Sequence, residues 1–261
     1  MKASIRFLGL AAMALAGTSA LAQDFFMGGT SPMDLAPMTR SVTDAAINKH
    51  SLNAIRSRNA ARGLPAGGAP ATPRGGLLTQ TATMGPARGE RIALPYRATR
   101  ADQDKAKTAF LGRLKAKDPK TAAIAAPQLM NNDIDAVYAR LAADGGLSPN
   151  DVADVMTSYL VLAWMIANND TSATPAAARA AREKVAVLLA QSGALHNPAT
   201  RTQVAEELKI LFCVIQSGWQ SARKEGNVAQ YSDGINRMLR AQNGEDLRRL
   251  ALTPAGFRTR G

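Results

Sequence analysis

Beyond residue 100 the apolar positions fall at helical intervals. Ile134, Val137, Tyr138 and Leu141 follow i, i+3, i+4, i+7 and so share one face of a helix. Ala178, Ala181, Val185 and Leu188 form a second stripe, which leaves Arg179, Arg182 and Glu183 for water. Val204, Leu208, Leu211, Phe212, Ile215 and Trp219 keep the pattern for about four turns. Val228, Tyr231, Ile235, Met238 and Leu239 supply another stripe, and Phe110 with Leu114 marks an earlier helix over residues 102–117. Residues 149–168 are different, because from Tyr159 to Ala167 the chain is apolar on every side. Such a segment belongs at the centre of a domain. The pattern predicts an all-α fold, a compact bundle of about five to seven helices around a central buried helix at 149–168.

Capping chemistry marks where these helices start and stop. Ser148-Pro149-Asn150-Asp151 offers an N-cap hydroxyl, a proline at the first helical position and an acid near the positive end of the helix dipole. Thr174-Pro175 repeats the device. Gly145-Gly146, Gly193, Gly226 and Gly244 can take the left-handed conformation that ends a helix. Pro127 is expected to break or kink the second helix.

The first third of the chain has another character. Residues 57–95 hold 7 Gly and 5 Pro in 39 positions, too little apolar surface to offset the entropy of ordering. Residues 23–95 therefore read as a flexible low-complexity arm, with a short helix available at 42–55. Within the arm, residues 77–84 and 91–94 flank a Gly-Pro turn, and Thr79, Thr81 and Thr83 alternate as in a strand, which suggests a marginal hairpin. Lys2 and Arg6, a short apolar run and Ala20-Leu21-Ala22 before Gln23 form a secretory signal peptide over 1–22. The division is thus signal peptide 1–22, arm 23–95 and helical bundle domain 96–261, and the destination is the periplasm or the medium. No later stretch is long and apolar enough to span a bilayer.

Composition narrows the chemistry. With 2 His and 1 Cys there is little material for a metal cage or a disulfide framework. His50 and His196 have no ligand partner at helical spacing. Glu206 and Glu207 are adjacent, hence about 100° apart on a helix, and cannot share one site. Asp151 and Asp154 do share a face, but acids in a first turn answer the helix dipole. Tyr159 and Trp164 carry polar atoms into the interior, so Asp154, Tyr159, Trp164, Asn168 and Gln216 form a candidate buried polar network that fixes helix register. Cys213 is a candidate intermolecular thiol if no helix covers it. The charge of +12 is spread along the chain, with 9 basic against 4 acidic residues over 23–99 and 21 against 16 over 100–261. Aromatics are not interleaved with the arginines, so specific nucleic-acid binding is not expected.

Several of these residues also carry a resemblance. Leu147-Ser148-Pro149-Asn150-Asp151-Val152-Ala153-Asp154, then Tyr159, Trp164, Asn168 and Thr174-Pro175, and finally Leu250-Ala251-Leu252-Thr253-Pro254-Ala255-Gly256-Phe257, resemble an uncharacterised family of exported bacterial all-helical domains, a domain of unknown function, over roughly residues 95–257. The resemblance implies the domain limits and the helical fold. It supplies no activity, cofactor, partner or functional residue.

The expectation is an exported non-enzymatic protein that acts as an interaction or scaffold module in the cell envelope. No cofactor is expected. The partner would be another envelope protein, or an anionic envelope polymer held by the basic arm. The alternative is a carrier that binds an apolar small molecule or lipid between helices, with Met156, Met165, Trp164 and Trp219 lining an adaptable cavity.

Overall fold

A helix that is apolar all round needs neighbours on all sides, and the segment after Asp151 has them. Helix α5 (Val152–Asn168) is buried from Val152 to Ala167 and is wrapped by α6 (Pro175–Ser192), α7 (Pro198–Glu225) and α8 (Val228–Asn243). Helix α2 (Arg100–Lys117) packs on α7 and on α3 (Pro119–Asn131), while α4 (Ile134–Ala143) lies against α7. A further helix, α1 (Leu77–Thr83), precedes them. The chain closes with a 3₁₀ turn (Leu247–Arg249) and an antiparallel hairpin, β1 (Leu250–Thr253) with β2 (Gly256–Thr259). These elements come from a computed structural model that describes residues 76–85, 91–117, 119–193 and 195–260. The signal peptide, the arm up to residue 75 and the short helix at 42–55 lie outside the described residues. Among the described residues seven helices follow residue 96, within the predicted range, and none is long and apolar enough to cross a membrane.

The central helix starts three residues later than its proline suggested. Asp151 rather than Ser148 is the N-cap, its carboxylate accepting from the backbone N–H groups of Ala153 at 2.9 Å and Asp154 at 3.3 Å. Asp151 stays outside the helix because its backbone is extended and bridged to Pro95. Val152 N–H donates to the Leu94 carbonyl at 3.0 Å, and Tyr96 N–H to that of Asn150 at 3.1 Å. Thr174 caps α6 as expected, with Pro175 in its first turn. Gly193, Gly226 and Gly244 are left-handed C-caps, and the non-glycine Asn169 serves α5 in the same way at φ 47°. Helix α3 runs on through Pro127, where the carbonyl deprived of its partner belongs to the exposed Ala123.

Two departures from the sequence pattern lie at the ends of the body. The predicted hairpin at 77–94 is not formed. Residues 77–83 are a helix whose Leu77, Leu78 and Thr81 are buried against β2 and α6. The strand preference of its threonines yields to these contacts, and the hydroxyls of Thr81 and Thr83 donate back to carbonyls three residues earlier. The buried Glu245 carboxylate caps this helix, accepting from Leu78 N–H at 2.5 Å and from the Thr79 hydroxyl at 2.8 Å. Residues 76–85 and 91–95 thus pack on the body, which was expected to begin at 96. At the other end, the β1–β2 hairpin pairs Leu252 with Phe257 and Leu250 with Thr259. Its buried Phe257 meets the Trp164 ring edge-on at 6.4 Å between centroids.

Candidate functional site

Besides the Glu245 cap, polar groups penetrate this apolar interior where two or three elements meet, and three of them bear on the candidate site. The first surrounds the start of α5. Asp154 has a fully buried side chain and accepts from Ser148 N–H at 2.7 Å, from the Arg91 guanidinium at 3.0 Å and from Arg182 Nε. Arg182, on α6, also reaches Asp151 Oδ2 at 3.1 Å, and that same oxygen accepts from Leu94 N–H at 2.8 Å. One guanidinium therefore joins α6, the N-terminus of α5 and, through the aspartates, the 91–94 segment. Burial works against its charge, but the Asp154 hydrogen bond and the two carboxylates outweigh that, and the guanidinium is held above its ordinary pKa.

The expectation that Arg182 faces water is therefore wrong, since its side chain is 1% exposed. At 100° per residue it lies about 40° from Ala178, at the edge of the apolar stripe, and α5 covers that edge. Glu183, one position on, receives the remaining arm of the guanidinium at 3.4 Å.

The predicted network of Asp154, Tyr159, Trp164, Asn168 and Gln216 does not come together. Asp154 and Asn168 stand 14 residues apart on one helix, about 21 Å at 1.5 Å per residue. The second polar group instead forms at the C-terminal end of α5. Trp164 Nε1 donates to the Leu250 carbonyl at 2.9 Å, and Asn168 Nδ2 donates to the carbonyls of Trp164 at 2.9 Å and Leu247 at 3.2 Å. These bonds pin the 3₁₀ turn and β1 to the central helix. The Tyr159 hydroxyl is buried without a hydrogen-bond partner, and burial alone pushes its pKa up. Gln216 is half-buried, its Oε1 enclosed and unpartnered.

The third group was not foreseen. Lys209 on α7 has a side chain 3% exposed and donates to Glu206 Oε1 at 2.8 Å and to Asp135 of α4. Its ammonium also lies 5.2 Å from the centroid of the Tyr96 ring and 5.8 Å from that of Tyr138. The Gln103 side-chain amide donates to the other Asp135 oxygen, and buried Lys107 donates to the Asn132 carbonyl at 3.0 Å. Gln103, Lys107, Ile134, Asp135, Glu206 and Ile210 line a recess of about 10 Å³, room for about one water molecule. Lysines are usually exposed, which hid this group from pattern reading. The signal that could have found it is that Lys209 is the single charge in the apolar run from Leu208 to Ile215. Glu206 and Glu207 take separate partners as their spacing requires, Glu207 pairing with Arg113 at 2.6 Å.

Burial raises the Glu206 carboxyl above its ordinary value of 4.5 although Lys209 pulls it down. A carboxyl raised by folding adds stability below its unfolded pKa, and that stability is lost as pH rises through the folded value. The advantage of Glu206→Gln over the parent chain is therefore expected to grow between pH ~4 and ~7, measured as urea midpoints at both pH values. A difference that stays flat or shrinks over that interval would contradict the assignment.

Cys213, one turn beyond Lys209, is half-buried and packs on the core. Burial and then the Asp135 charge push its thiol up to about 12, so the thiolate that disulfide exchange requires is scarce at neutral pH. His196 is exposed, and His50 lies outside the described residues. Among the described residues no cluster of three or more His, Cys, Asp or Glu is placed to hold a metal ion.

A family model described as a family of unknown function (DUF6683) matches residues 2–260. No curated protein matches the chain, and neither does any solved structure.

Proposed function

The chain belongs to that family of unknown function, and within it we propose that this member is an exported, non-enzymatic helical protein that works as an interaction or scaffold module in the bacterial cell envelope. One observation supports this reading above the others. Two charged groups of the interior are closed on themselves, Arg182 with Asp151 and Asp154, and Lys209 with Asp135 and Glu206, and they tie helices together rather than converge on a cleft. The recess beside Lys209 suits a water, not a substrate. The residues suggested for a carrier, Met156, Met165, Trp164 and Trp219, are enclosed in the packed core at 0–3% exposure. Export rests on the signal pattern over residues 1–22, and the basic arm gives the module a reach toward an anionic envelope polymer or a neighbouring envelope protein.

Two measurements test the reading. Amino-terminal sequencing of the protein isolated from envelope and periplasmic fractions is expected to start at Gln23; an intact Met1 in the cytosolic fraction would sink export. A photo-crosslinker placed at the exposed Met130 or Arg249 of the full chain in its host is expected to capture a defined envelope component, and removing residues 23–75 is expected to lower the yield. Apolar compounds co-purifying in equal molar amount with the protein would favour the carrier instead.

A further inference from the structure

Lys184 sits on α6 one turn beyond the point where Gly256 of the hairpin rests on the Ala180–Ala181 backbone. The residue is 2% exposed, and its ammonium is enclosed without a hydrogen-bond partner. The other buried cations, Lys107, Arg182 and Lys209, each meet an oxygen; this one does not. Arg258, of the same sign, stands two positions along β2 from Gly256 on the strand that packs against α6, and burial together with that arginine pushes the Lys184 amine below its ordinary pKa.

Among the described residues, the carboxylates of α6 and of the segments leading into the hairpin are engaged elsewhere. Glu183 takes Arg182, Glu245 caps α1, Asp246 takes Asn236 and Arg249, and Asp233 takes Arg248 at 2.5 Å. Around the pair the surface is basic, with Arg260 paired by its backbone N–H to the Arg249 carbonyl at 2.8 Å and all three of Arg249, Arg258 and Arg260 exposed. A buried cation without an oxygen to meet costs free energy, the more so with a second cation nearby, and an oxyanion shared by the two would reverse it.

We propose that Lys184 and Arg258 form an anion-binding site at the junction of α6 and the C-terminal hairpin, built for a phosphate group. The guanidinium fork of Arg258 binds two phosphate oxygens and leaves a third for the ammonium, a division that a two-oxygen carboxylate cannot match. The four-carbon lysine stem lets the ammonium swing toward the exposed guanidinium when the anion arrives. Free phosphate and a phospholipid headgroup share this chemistry.

Calorimetric titration of the full mature chain with inorganic phosphate, at constant ionic strength, tests the site, with flotation on phosphatidylglycerol vesicles as the second arm. Binding in either arm is expected to weaken at least tenfold in Lys184→Met and in Arg258→Gln, and to persist in Lys184→Arg. A response to phosphate identifies the free ion as sufficient, while a response to vesicles alone identifies the headgroup. Lys184→Met removes an unpartnered charge and is expected to fold; should it not, the exposed Arg258→Gln carries the comparison. No binding in either arm, or binding that both substitutions leave unchanged, overturns the proposal.

Discussion

Replacing Arg182 with Met is expected to lower the stability of the helical body by about 3–5 kcal/mol, the usual result of removing one member of a buried ion pair. The loss is large because Asp151 and Asp154 remain in place. Asp154 has a fully buried side chain and would keep only Arg91 as a cationic partner, on a side chain 57% exposed. Asp151 would keep its backbone donors but lose the charge that balances them. Urea unfolding followed by far-ultraviolet circular dichroism gives the difference directly. Lys at the same position restores the charge without the fork that reaches both aspartates, so Arg182→Lys is expected to fall between Met and the parent chain. Adding Asp151→Asn and Asp154→Asn to Arg182→Met is expected to recover part of the loss, since amides can still accept the backbone N–H groups. A loss below about 1 kcal/mol for Arg182→Met would show that the clamp acts as an ordinary exposed pair.

Gly256→Ala is expected to be the most damaging single methyl in the molecule. Its φ of +86° disfavours any L side chain, at about 1–2 kcal/mol. A Cβ at this position would also stand 3.1 Å from Ala181 N and 3.2 Å from the Ala180 carbonyl carbon and oxygen. These are backbone atoms of a packed helix and cannot turn aside, which adds about 1–3 kcal/mol of overpacking. The hairpin is expected to lift from α6. That withdraws Phe257 from the Trp164 ring and Leu250 from its indole N–H. A red shift of the tryptophan emission, with a lower urea midpoint, is the expected reading. An unchanged emission maximum and midpoint would show that the hairpin can shift without loss.

What the sequence made legible follows from how the information is carried. Helix α5 could be placed because nine successive apolar residues leave no face for water, and the caps at Thr174, Gly193, Gly226 and Gly244 are local signals that need no tertiary context. Arg182 and Lys209 were hidden because a charged residue beside an apolar stripe reads as solvent-facing until its carboxylates are known. Those carboxylates, Asp154 and Asp135, lie 28 and 74 positions away in sequence. The polar network failed for a reason open to arithmetic, as residues at opposite ends of one helix cannot meet. The terminal hairpin carries its own cue in Thr253-Pro254-Ala255-Gly256, a turn between Leu252 and Phe257, but strands of four residues are too short for their alternation to stand out. Helix α1 was the hardest to see. Its threonines favour a strand, and what makes it a helix is Glu245, 167 positions from Leu78.

That last contact gives the molecule a mechanical order. Helix α1 rests on the hairpin and on α6 and is held at its first turn by one carboxylate. A tension applied along the amino-terminal segment therefore loads Leu78, Thr79 and Glu245 before it reaches the central pillar. Peeling α1 away would break its contacts with the hairpin and α6 and would leave the packing of α6, α7 and α8 around α5 in place.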